Sequence, residues 1–125
     1  MNREILFRGK RKQDGVWCHG DLVRLKDGDT QMPCIYYFGE VYPESIGQFT
    51  GVYDKNGDEI YEGDILEFDG AEIPEEERAE VIYADGRFRL KNPHYDYMDD
   101  LNSLTARMEI IVGNTYDGVY RRNEQ

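Results

Sequence analysis

No stretch of this 125-residue chain approaches the roughly 20 consecutive apolar residues that a membrane-crossing helix needs, so no membrane span is expected. The opening, Met1-Asn2-Arg3-Glu4-Ile5-Leu6-Phe7-Arg8, lacks the apolar core of a secretory signal, and a cytoplasmic location is expected. Cysteine is scarce. Cys18 and Cys34 cannot build a disulfide scaffold and are expected as thiols, acting as small, partly buried apolar groups. Histidine is equally scarce. Cys18, His19, Cys34 and His94 could supply four zinc ligands, but they lack the paired Cys-x-x-Cys or His-x-x-x-His spacing of a tetrahedral site. No metal and no cofactor is therefore expected. Base is short relative to acid, with 15 Lys and Arg against 26 Asp and Glu, a formal charge of −11. That balance argues against direct nucleic-acid binding, since neutralising phosphates takes clustered cations. It suits a protein that meets a basic partner.

What the chain does hold is turn chemistry. Asp14-Gly15, Asp27-Gly28, Asn56-Gly57, Asp69-Gly70, Asp85-Gly86 and Asp117-Gly118 favour tight turns, and short runs of Val, Ile, Leu, Tyr and Phe lie between them. The pattern predicts a mainly β, antiparallel fold of short strands, built as one or two small SH3-like barrel modules with at most one short helix. A two-residue loop at Asp85-Gly86 would pair Tyr83 with Phe88 and Val81 with Leu90 on one face, and Ile82 with Arg89 and Ala84 with Arg87 on the other. Asn56-Gly57 would form a type I′ turn, pairing Lys55 with Asp58, Tyr53 with Ile60 and Val52 with Tyr61. Asp99 or Asp100 would cap a helix presenting Leu101, Leu104, Thr105 and Met108, and Ile110-Ile111-Val112 reads as a buried strand. The acidic stretch from Glu72 to Glu80, which contains Pro74, reads as a solvated loop or a frayed turn. Gly20-Asp21-Leu22 through Gly28 echoes Gly63-Asp64-Ile65 through Gly70, so two related modules are expected, 1–47 and 48–125, packed as one chain.

Asp54, Asn56 and Asp58 are spaced like the first ligands of a calcium loop. An EF-hand starting at Asp54 would need Gly at its sixth position and Glu at its twelfth, where this chain has Glu59 and Ile65. The calcium reading fails, and the segment is scaffold.

Three blocks resemble the YopX-like proteins of bacteriophages and prophages. Arg3-Glu4-Ile5-Leu6-Phe7-Arg8-Gly9-Lys10-Arg11, with Val16-Trp17 and Gly20, is similar to the family's opening. Gly47 to Leu66 is similar to its central signature, with Phe49 in place of Tyr and Val52 in place of Leu. Glu109-Ile110-Ile111-Val112-Gly113-Asn114-Thr115-Tyr116 is similar to its closing strand. The resemblance implies a mainly β phage or prophage product that self-associates. It supplies no activity and no catalytic residues to carry over.

The residues themselves assign no catalytic, cofactor-binding or metal site. His94, in Asn92-Pro93-His94-Tyr95, has no nameable partner for base catalysis. Tyr95-Asp96-Tyr97-Met98-Asp99-Asp100 mixes aromatics with acids, which could bind a cation or a basic partner, but reads first as an exposed strand end. Trp17 reads as a core anchor of the first module rather than an interface hot spot. The favoured reading is a non-catalytic, self-associating interaction module that engages an unidentified phage or host protein. A nucleic-acid-linked regulator comes second, acting as an acidic DNA mimic or through the basic run Arg3, Arg8, Lys10, Arg11 and Lys12, with Arg121 and Arg122 at the other end. An enzyme with an intersubunit site drawn from Asp54, Asp64 and His94 comes last.

Overall fold

The computed structural model describes residues 4–69, 78–94 and 98–120. The expected turn at Asp69-Gly70, most of the acidic stretch, Tyr95-Asp96-Tyr97, and Arg3, Arg121 and Arg122 lie outside the described residues in whole or part. The chain divides into two compact units, Met1–Phe49 and Thr50–Gln125.

In the first unit, β1 (Phe7–Lys10) pairs antiparallel with β2 (Trp17–Gly20) and with the start of β6 (Gly47–Tyr53). A separate antiparallel sheet joins β3 (Leu22–Asp27), β4 (Thr30–Ile35) and β5 (Gly39–Glu40). Cys18, Ile35 and Val41 form the core, with Phe7, Leu22 and Ile46 packed around them. Both cysteines are buried free thiols. Gly9 is required by close approach, because a Cβ there would stand 2.8 Å from the Val41 Cγ2 methyl.

In the second unit, β6 continues beside β7 (Glu59–Tyr61). A six-stranded antiparallel sheet follows, built from β8 (Asp64–Phe68), β9 (Ala79–Ala84), β10 (Arg87–Lys91), β11 (Met98–Asp100), β12 (Glu109–Asn114) and β13 (Gly118–Val119). Its spatial order is β11-β10-β9-β8-β12-β13. Ile60, Leu66, Val81, Ala106 and Ile111 make the core, with Val52, Leu90 and Leu101 against it.

Among the described residues there is one short α-helix, beside a single 3-10 turn at Pro43–Ser45, and the mainly β, antiparallel reading holds. The barrel does not: among the described residues the sheets stay open, the largest ending at β11 and β13. Turn rhythm identifies short strands but carries no information on the shear that closes a barrel. The Asp85-Gly86 hairpin has the expected register, Phe88 opposite Tyr83 and Leu90 opposite Val81, with both loop residues at positive φ (57° and 82°).

The Asn56-Gly57 turn differs from expectation. Gly57 alone takes positive φ, 83°, and its N–H donates to the Asp54 carbonyl at 3.0 Å. The Asp54 N–H donates to the Asp58 carbonyl at 2.9 Å, so the loop has three residues and the pairing slips by one from Lys55/Asp58 to Asp54/Asp58. The helix is also shorter than expected. Helix α1 spans Ser103–Ala106, and Asn102, not an aspartate, caps it by accepting the N–H groups of Leu104 and Thr105. Its buried residue is Ala106, while Leu104 and Met108 are exposed.

Candidate functional site

Between β4 and β5 the chain reverses over Tyr36, Tyr37 and Phe38. The Phe38 N–H donates to the Ile35 carbonyl at 2.9 Å and closes the turn, leaving Tyr37 at φ 79°. A turn with positive φ at its third residue calls for glycine, and a bulky side chain there carries strain of about 1 kcal/mol. The base of the turn holds that strain in place. Ile35 is fully buried, and the Tyr36 N–H donates to the Asp21 carbonyl at 2.8 Å. The Arg11 guanidinium donates to the Phe38 carbonyl at 3.3 Å and is itself gripped by Asp14 at 2.9 and 2.6 Å. The Asp14 hydrogen bond raises the Arg11 pKa, and Arg11 in turn holds the Asp14 carboxyl below its ordinary value.

On this base the side chains project into water, with Tyr36 67%, Tyr37 90% and Phe38 40% exposed. The Tyr37 and Phe38 rings meet edge to face, with centroids 5.8 Å apart. Three adjacent aromatics at a hairpin tip offer large apolar area and two hydroxyls, the combination that anchors protein interfaces. No catalytic or ligand-binding residue type marks this tip in the sequence. Its signal was the uninterrupted aromatic run before Gly39, which fits neither a half-buried strand nor ordinary turn composition.

The outer face of the β1–β2 hairpin carries Arg8 and Lys10 with Trp17 and His19, because Arg8 faces His19 and Lys10 faces Trp17. The Arg8 guanidinium lies 4.8 Å and the Lys10 ammonium 5.5 Å from the Trp17 ring centroid, a cation–aromatic cluster. Trp17 is therefore half-buried on this face rather than a core anchor. Strand alternation gives the inward place to its neighbour Cys18, which is 3% exposed. Arg11 and Lys12 pair with the protein's own acids, Lys12 with Glu40 at 2.9 Å, so these two cations of the basic run are engaged internally.

Within one chain, the residues nominated for an intersubunit site are not brought together. Asp54 is buried and accepts the N–H groups of Asn56 and Asp58 on one oxygen and of Ile111 on the other. Asp64, fully buried, accepts the Tyr61 N–H at 2.7 Å where β7 turns into β8. His94 is exposed, its N–H held by the Asn92 side chain. Asp54 lines a groove of about 390 Å³ with Tyr53, Leu104 and Arg107, whereas His94 lines another of about 270 Å³ with Arg78, Glu80 and Thr115. Two of the three carboxylate and imidazole groups thus serve the backbone. Among the described residues, no three His, Cys, Asp or Glu side chains converge as a metal site would need.

A family model described as YopX protein matches residues 6–119. The chain is also similar to the crystal structure of protein EF1440 from Enterococcus faecalis, at 25% identity and a TM-score of 0.54, over 90% of this chain and 94% of that one. No curated protein matches the sequence.

Proposed function

The chain belongs to the YopX family, and from that premise we propose that it works by binding, as a self-associating protein-interaction module rather than an enzyme. The Tyr36-Tyr37-Phe38 tip supports this reading: the fold holds strained, water-facing aromatic surface that its own cores do not use. The engagement of Asp54 and Asp64 by backbone N–H groups supports the same conclusion. The setting proposed is a phage or prophage product in the cytoplasm of a bacterial host, a setting that rests on the family alone. Light scattering coupled to size exclusion tests the reading. A defined oligomer, or a complex with a phage or host protein, is expected; a strict monomer that retains no protein partner would overturn it.

A second reading has an observation of its own. Thr50–Gln125 holds eight Lys and Arg against nineteen Asp and Glu, so the entire net charge of the chain resides in this unit. Such a unit suits an acidic mimic that occupies a basic DNA-binding protein. Competition between this protein and DNA for a basic partner would support it, and absence of competition at low salt would exclude it.

A further inference from the structure

We infer that the Tyr36-Tyr37-Phe38 tip is the self-association surface, and that its occupant is the same tip of a second copy. The inference rests on the self-association proposed above and adds where the copies meet. Charge decides between the two units. Met1–Phe49 carries seven Lys and Arg against seven Asp and Glu, a formal charge of zero, while Thr50–Gln125 carries −11. Apposing two copies through their second units sets −11 against −11, and like-charge juxtaposition suppresses association. Contact through the first units carries no such penalty.

Within the first unit, Ile5, Val16 and Leu25 are each about half exposed but scattered along the sequence, whereas the tip places three consecutive aromatics at 67%, 90% and 40% exposure. Arg11, which holds the Phe38 carbonyl, is matched by Asp14, and Lys12 is matched by Glu40, so these two cations are neutralised within the chain. A two-fold contact would stack aromatic on aromatic and leave the tyrosine hydroxyls at its rim. At 150–250 Å² for a fully buried aromatic, the tip supplies about 400 Å² per copy. That is about half of one partner's share of a standard interface, which places the dimer at the weak, roughly micromolar end.

The test is sedimentation velocity on the full chain from about 1 to 500 µM, a range that brackets the expected constant, for wild type, Tyr37→Gly and Tyr36→Ser. Glycine suits φ 79°, so Tyr37→Gly keeps the turn while removing the ring, and Tyr36→Ser removes a ring without touching that φ. Wild type is expected to reach a dimer and stop, with each variant weakening association at least about tenfold. A wild-type dimer that both variants leave intact overturns the tip as the interface while self-association stands. A wild type monomeric throughout the range overturns both. Assembly that grows past two copies overturns the two-fold contact, because only a closed contact stops there.

Discussion

The Asp54 carboxylate accepts the Ile111 N–H at 3.1 Å across 57 residues of sequence. Its other oxygen takes the N–H groups of Asn56 and Asp58, both at 2.9 Å, so one buried side chain closes a loop and fastens that loop to β12. Two neighbouring bonds reinforce the attachment, from the Lys55 N–H to the Glu109 carbonyl at 2.8 Å and from the Lys55 ammonium to Asp69 at 2.7 Å.

Replacing Asp54 by Ala leaves three backbone donors without their acceptor, one of them in a fully packed strand. The expected loss is about 2–4 kcal/mol of unfolding free energy, measured by urea denaturation. Asp54→Asn keeps one acceptor oxygen and should lose less. A loss below about 0.5 kcal/mol for Asp54→Ala would show that the loop is held by something else.

The loop that Asp54 closes is read by a pair of variants. Gly57 alone sits at positive φ, so Gly57→Ala should cost about 1–2 kcal/mol, whereas Asn56→Ala should stay within about 0.5 kcal/mol. Equal, large losses at both positions in thermal unfolding would point instead to a two-residue type I′ loop.

Burial pushes the Glu109 carboxyl above its ordinary value of 4.5. An acid raised on folding holds its proton more tightly in the native state, so its relative contribution is fully present below the ordinary value and is lost as pH rises through the raised one. Glu109→Gln should therefore raise Tm at neutral pH, with the gain shrinking as the pH falls through the raised value and largely gone once it is below 4.5. A gain that is the same at both pH values would remove desolvation as the cause.

Glu67 and Arg78 pair at 2.8 Å with side chains only 4% and 15% exposed, and the second Glu67 oxygen has no partner among the described residues. Arg78→Met strands a buried carboxylate and should cost about 3–5 kcal/mol. Adding Glu67→Met should recover most of that loss. A double variant as unstable as the single one would mean that Arg78 stabilises through its other contacts.

Much of this fold was legible because glycine leaves a plain local mark. Gly15, Gly28, Gly57, Gly86 and Gly118, each after Asp or Asn, all take positive φ at turns. Alternation then set the register of Val81 to Leu90 correctly. What stayed hidden was set by distance in sequence. Nothing beside Asp54 announces that its second oxygen belongs to Ile111, and nothing beside Trp17 says that Cys18 takes the inward place. The aromatic tip was visible as composition, but its exposure depends on Ile35 and Asp21 anchoring a turn that places Tyr37 where glycine is usual.

The strand order β11-β10-β9-β8-β12-β13 also has a consequence for how the chain comes to be folded. Strands β9, β10 and β11 are neighbours in sequence and can zip together early, but the other side of β8 is filled by β12, some forty residues later in the chain. Long-range closure of this kind is slow. During synthesis the backbone edge of β8 therefore waits, uncovered, until Glu109–Asn114 has left the ribosome. That interval is when a chaperone or a neighbouring nascent chain would find this protein most open to mispairing.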